Sequence, residues 1–150
     1  MSSQTSAGTL LKVSAVAPAT YNAAGYAALA YTAVGEVTNL GEFGKKFNLV
    51  RHNPLATRGT VKKKGSYDDG QISVEMALDR SDAGQTLMRT ARDSDANYFF
   101  EVTFQDGTKS WFPAVVMGFV VGVGSVDDIT SATADIEITN VNGVGIVESV

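Results

Sequence analysis

The chain has no cysteine, one histidine and three prolines among its 150 residues. Without cysteine there is no disulfide framework, no thiolate metal site and no cysteine nucleophile, so stability must come from packing, hydrogen bonding or assembly. With His52 as the sole histidine, a multi-histidine metal site within one chain is excluded. A serine-histidine-acid triad has no Gly-x-Ser-x-Gly elbow to build on, since Gly124-Ser125 is not one. A bilayer-spanning run is also missing. The longest apolar stretch, Phe112 to Val126, is interrupted by Pro113, Gly118, Gly122 and Gly124, falls short of the ~20 residues a membrane helix needs, and reads as valine-rich buried strand. The first six residues, Met1 to Ser6, lack the basic and apolar regions of a secretory signal, so synthesis in a cytosol is expected. Basic charge is short as well. Twelve Lys and Arg face sixteen Asp and Glu, a net charge of -4, which argues against nucleic-acid binding as the main business because duplex affinity rests on phosphate neutralisation.

What is present is an ordinary globular composition, 44% hydrophobic and 19% charged, in a chain long enough for one domain with a real core. Thr9 to Val16 reads as a first strand ended by Pro18. Thr20 or Asn22 can cap a short second helix over about residues 22–29, although Gly25 in its middle costs ~1 kcal/mol relative to Ala. Thr32 to Leu40 is expected to be extended. Phe47 to His52 is a strand, Asn53 to Thr60 a polar arm, Val61 to Ser66 a strand marked by Lys62, Lys63 and Lys64, and Asp69-Gly70 a turn. Ile72 to Leu78 alternates with period two, placing Ile72, Val74, Met76 and Leu78 on one face and Gln71, Ser73, Glu75 and Asp79 on the other. From Ser81 to Arg92 the period becomes helical, with Asp79 or Ser81 as cap and Arg89 and Arg92 near the C-terminal end. Asn97 to Phe104 is a strand with Tyr98, Phe100, Val102 and Phe104 on one face. Asp106-Gly107 is a hairpin signal, and the strand from Lys109 to about Val121 returns from it, with Pro113 suggesting an edge or a bulge. Ile129 to Val141 alternates with Thr133, Asp135, Glu137 and Thr139 outward, and Asn142-Gly143 allows Val144 to Val150 to pair back. The sum is a mainly β chain of seven to nine strands, antiparallel by its hairpin signals, with one or two helices, the firmer of them over about residues 81–92.

Three patterns that hint at chemistry do not hold up. Asp93-Ser94-Asp95-Ala96-Asn97 begins like a calcium loop, but Tyr98 stands where the turn needs glycine and Phe104 where the bidentate glutamate belongs. The three lysines alternate on a strand and so cannot form one clamp, and no aromatic interleaving supports base stacking. Gly118, Gly122 and Gly124 do not make a dinucleotide loop, because the position three after Gly124 is Asp127. No cofactor or metal is expected, and no catalytic constellation. A solitary domain leaves unexplained a strand apolar on both faces, a mid-chain arm with too little apolar content to fold on itself, and the acidic strand faces. The arm is expected to find its partners on another subunit.

The run His52-Asn53-Pro54-Leu55-Ala56-Thr57-Arg58-Gly59-Thr60-Val61-Lys62, with Leu78-Asp79-Arg80-Ser81-Asp82-Ala83-Gly84-Gln85-Thr86-Leu87, resembles the major tail tube protein of long-tailed, non-contractile bacteriophages, the siphophages. Pro18-Ala19-Thr20-Tyr21-Asn22-Ala23-Ala24-Gly25-Tyr26 and Val34-Gly35-Glu36-Val37 are similar to the same family. The resemblance implies an antiparallel β-sandwich or barrel-like domain with a flanking helix, hexameric rings stacked into a hollow tube in the virion tail, an inner wall that is a continuous barrel contributed by all subunits, other tail proteins at the tube ends, and DNA passing through the lumen without specific binding. It also implies that a mid-chain arm, about residues 51–66, reaches an adjacent ring through Arg51, Asn53, Pro54, Leu55, Arg58, Lys62, Lys63 and Lys64. Glu75 and Asp79, or Asp135 and Glu137, lying opposite the apolar strand faces, are the expected lumen-facing residues. The alternatives are a secretion-system tube ring or a carbohydrate-binding β-sandwich module, with an enzyme third.

Overall fold

The computed structural model describes residues 3–149 and places ten strands and two helices among them. In chain order these are β1 Leu10–Ser14, α1 Ala23–Ala27, β2 Thr32–Ala33, β3 Val37–Asn39, β4 Lys46–His52, β5 Val61–Asp68, β6 Gln71–Ala77, α2 Ala83–Arg92, β7 Tyr98–Thr103, β8 Lys109–Gly122, β9 Ser131–Ile138 and β10 Val147–Glu148. The main sheet is antiparallel throughout, in the order β2-β1-β7-β8-β9-β6-β3 with β10 also on β8, while β4 and β5 form a separate two-stranded ribbon.

The long sheet curls because one short stretch stitches its two edges together. β2 pairs with β1 through Lys12↔Ala33, β3 pairs with β6 through Val37↔Met76, and only Val34 to Glu36 separate them. The Val34 amide donates to the Leu11 carbonyl and the Ala77 amide to the Glu36 carbonyl, so strands at opposite edges are bridged within ~10 Å of chain. Glu36 accepts a left-handed φ of 59° to make the crossing. The N-terminal turn of α2 locks it. Asp82, not Asp79 or Ser81, is the cap: one carboxylate oxygen accepts from the Gln85 amide at 2.9 Å and from the Gly35 amide at 3.0 Å. The wholly buried Gln85 side chain donates to the carbonyls of Gly35 (3.1 Å) and Ala77 (2.9 Å) and accepts from the Asp79 amide (3.0 Å). Gly84 lets the helix backbone rest on this seam, since a Cβ there would strike the Ala33 carbonyl and the Val34 Cα.

The concave face of the curl is the core. Leu11, Val13, Ile72, Val74, Met76, Phe100, Val102, Phe112, Ala132, Ala134 and Ile136 line it, and α2 fills it with Met88 and Ala91. The helix expected to flank the sheet therefore plugs it. The period-two readings of the strands now called β6 and β9 match their alternating burial. On the convex side, α1 covers the first half of β7 and β8 with a second cluster in which Tyr26 stacks on Trp111 at 6.3 Å beside Phe99. Asn22 caps α1, and Gly25 is required there because a Cβ would collide with the Thr20 carbonyl.

Two further expectations change. Pro113 is not at a sheet edge: β9 pairs with β8 from Ala114 onward and β10 from Trp111 backward, so the missing N–H falls in the gap between them, where the Pro113 carbonyl still accepts from the Thr139 amide. The C-terminal segment does not pair back on β9. Asn142 and Gly143, both at positive φ, make a tight turn closed by a single Val141↔Val144 bridge, and β10 then joins β8.

Replacing Gln85 by Leu strands one partly buried N–H and two partly buried carbonyls. The expected loss is ~3 kcal/mol of unfolding free energy, measured by urea denaturation; a change below ~1 kcal/mol would contradict the locking role of this side chain.

Candidate functional site: a projecting ribbon and an acidic sheet face

β3 leads outward into β4, and β5 leads back into β6. The β4–β5 ribbon is thus the continuation of the β3–β6 pair beyond the end of the sheet, rooted by the Tyr67 hydroxyl, which donates to the Asn140 side chain at 3.1 Å, and by the Gly44 amide, which donates to the Asp69 carbonyl. Every residue of β4 is exposed. A lone two-stranded ribbon is marginal in water, so one that is exposed on both faces calls for a partner.

The register sorts the residues of the ribbon onto two faces. Leu49↔Lys64 and Arg51↔Lys62 share one face with Phe47 and Tyr67; Val50↔Lys63 and His52↔Val61 share the other. The three lysines are split, as alternation requires. Aromatic interleaving, not expected from the sequence, arises across the strands: Phe47 and Tyr67 pack at 5.3 Å, with Lys64 over the Phe47 ring at 4.9 Å and Lys45 over Tyr67 at 4.4 Å. The arm is not free chain but the tip of this ribbon. The Thr60 hydroxyl donates to the Asn53 side chain at 2.8 Å, the Thr57 amide to the Pro54 carbonyl at 3.4 Å, Leu55 stands fully in solvent and Arg58 is exposed. Residues 45–67 hold seven of the twelve Lys and Arg and none of the sixteen acids, which leaves five bases against sixteen acids elsewhere.

Three of the four expected luminal acids share one surface. The pairs Glu75↔Thr133, Ser73↔Asp135 and Gln71↔Glu137 line the convex face of β6 and β9, and the Ser73 hydroxyl donates to Asp135 at 3.0 Å. Neither strand carries a Lys or Arg. Asp79 stands apart: β6 ends at Ala77, and the Asp79 carboxylate turns to accept from the Ser81 hydroxyl (2.6 Å) and amide (2.9 Å), bonds that hold it below the ordinary carboxylate pKa.

A third surface was not anticipated. β7 begins opposite Ala114, so from Val115 to Gly122 β8 has β9 on one side and, among the described residues, no strand on the other. Buried on both faces as far as Ala114, as the apolar run suggests, β8 then exposes Met117 (64%) and Val120 (63%), Met117 being the extra residue of a bulge against β9. Sequence reasoning also passed over Glu101, which is buried under α1. It accepts from the Trp111 indole at 2.9 Å and the Thr103 hydroxyl at 3.0 Å, with Lys12 and Lys109 each 3.7 Å away. Cross-strand neighbours neutralise it, and period-two reading of β7 alone cannot reveal them.

The remaining chemistry is sparse. His52 is exposed opposite Val61. Asp93 pairs with the adjacent Arg92 at 2.9 Å, and among the described residues no three His, Cys, Asp or Glu side chains converge on a metal-sized site.

No known family profile and no curated protein matches the chain. Solved structures do. A chain of the structure described as "Cryo-EM structure of the anti-feeding prophage (AFP) baseplate, 6-fold symmetrised" superposes with a TM-score of 0.67 over 93% of this chain and 94% of its own length, at 7% identity, which establishes a shared fold. A crystal structure of an Hcp protein matches at a TM-score of 0.43, 11% identity and 87% coverage of each chain.

With seven basic residues on an exposed ribbon, limited trypsin digestion of the unassembled protein should cut first between Lys45 and Lys64, read by mass spectrometry of early fragments. First cuts at Arg80, Arg89 or Arg92 instead would contradict the exposed ribbon.

Proposed function

We propose that this chain is a non-enzymatic tail tube subunit of a siphophage, forming hexameric rings that stack into a hollow conduit in the virion tail after synthesis in the host cytoplasm. The observation that carries the reading is the pair of unfilled interfaces on one domain, an unpaired β8 edge and a ribbon exposed on both faces. They lie on a fold shared with a chain of a six-fold symmetrised baseplate. The edge faces sideways and the ribbon along the strands, so one suits contacts around a ring and the other contacts between rings. Around a ring, heterologous contacts close by rotation; along the stack they stay open and generate a filament. An open edge beside exposed apolar side chains is an aggregation hazard in a monomer and an interface in a ring.

The dimensions agree. The strands β8, β9, β6 and β3 run side by side, and six such sets at ~4.8 Å per strand close a circle ~37 Å across at the backbone, wider than a DNA duplex. With the bare convex face inward, Glu75, Asp135 and Glu137 line the channel. A conduit must not hold its cargo, and each Lys or Arg on a phosphate adds affinity through counterion release. Carboxylates and hydroxyls repel or ignore DNA, while the lysines stay on the ribbon between rings. Exposed ion pairs there contribute only ~0–1 kcal/mol each, so repetition around the ring supplies the strength. Other tail proteins would cap the two ends of the tube.

Purified protein should form long hollow tubes by negative-stain electron microscopy, and deletion of Asn53 to Gly59 should leave folded protein that does not polymerise. Isolated rings would favour a secretion-type ring, and monomers at high concentration a binding module; normal tubes from the deletion variant would refute the role of the ribbon. Tubes built from the Glu75→Lys/Asp135→Lys/Glu137→Lys variant should retain DNA at salt concentrations where wild-type tubes release it; identical release would contradict a luminal position for these residues.

A further inference from the structure

The ribbon is rooted where β9 ends, its β5–β6 corner bonding to Ile138 through the Gly70 carbonyl, whereas the loop between β8 and β9 lies at the other end of the same strand. That loop carries an exposed apolar cluster that nothing among the described residues covers: Val123 at 66%, Val126 at 100% and Ile129 at 79% exposure. It is also held rigid. Gly124 takes φ 70°, the Asp128 carboxylate accepts from the Ser125 amide (2.8 Å) and hydroxyl (3.0 Å), and the Asp128 amide donates to the Ser125 carbonyl, so Val126 and Asp127 are presented at the crest. From Ser110 to Val150 the chain has five acids and no Lys or Arg, the reverse of the ribbon.

We propose that this loop, Val123 to Ile129, is the seat on which the β4–β5 ribbon of a second copy docks, its Leu49 and its tip residue Leu55 meeting Val123, Val126 and Ile129 while Lys62 and Lys64, on the same face as Leu49, meet Asp127 and Asp128. The occupant follows from complementarity on one polypeptide: an apolar surface ringed by bases at one end, and an apolar surface ringed by acids at the other. β4 alone spans ~23 Å and β9 ~27 Å, so a ribbon leaving one end reaches the far end of a copy stacked beyond it. Because knob and seat differ, the contact is head-to-tail, never closes on itself, and gives the stack a polarity. The seat is ordered before contact, which lowers the entropic cost of docking. The inference rests on the tube reading.

The test uses two full-length variants, Lys62→Glu/Lys63→Glu/Lys64→Glu in the ribbon and Val126→Lys/Asp127→Lys in the loop, both at exposed positions outside the core. Asp128 is left intact because it holds the turn. With thermal midpoints matching wild type, each variant alone should give at least tenfold less pelletable polymer, and an equimolar mixture should recover it, since the reversed ribbon now suits the reversed seat. A loop variant that polymerises like wild type, or a mixture that fails to recover, overturns the seat while wild-type tubes leave the tube reading standing. Wild-type protein that stays monomeric at every concentration overturns the tube reading itself.

Discussion

The crossing of Val34 to Glu36 from one sheet edge to the other is the constraint on which the remaining architecture depends. Without it the main sheet would be an open, twisted layer with two exposed edges; with it, the sheet closes over α2 and acquires an inside. Asp82, Gly84 and Gln85 bind this crossing to the helix that fills the curl, so closure and core formation are one event. The amide side chain is well matched to the task. It satisfies two carbonyls and one N–H that the crossing leaves without ladder partners, and buried polar groups of this kind are costly unless all are paired.

Closure also decides what the convex face can be. Half of it lies under α1, where Trp111 and two lysines hold the buried Glu101 and the strands are sealed within the monomer. The other half, on β6, β9 and the far part of β8, is bare. Its side chains are hydroxyls, amides and carboxylates, with Met117 and Val120 near the unpaired β8 edge. Residues 45–67 of the ribbon gather most of the basic charge, with Asp68 at its root the one acid of the two strands. The molecule is therefore sorted into a sealed flank, an acidic face and a basic projection.

Much of this was legible in the residues. Alternation identified β6 and β9 and the outward positions of Glu75, Asp135 and Glu137, because a half-buried strand writes its burial into every second residue. The helical period gave α2 but not its location, since an apolar stripe says that a face is buried without saying whether the helix lies inside or outside a curl. Asp79 was misplaced with the strand acids because the pattern continues past Ala77 while the backbone does not: its carboxylate is taken up by Ser81. The arm read as free chain because its closure depends on Asn53 meeting Thr60 and on pairing between β4 and β5, contacts that hydrophobic patterning does not encode. The fate of the C-terminal segment was illegible for the same reason. Asn142-Gly143 announces a turn, and only tertiary competition sends β10 to β8.

The central claim is that the acidic face looks inward and the basic ribbon bridges successive rings. A helical reconstruction of the assembled protein at side-chain resolution tests it directly. The account predicts an inner wall bearing Glu75, Asp135 and Glu137 from every subunit, with the β4–β5 ribbon lying against the next ring. A channel lined by Lys62, Lys63 and Lys64, with those carboxylates on the outer surface, would contradict it.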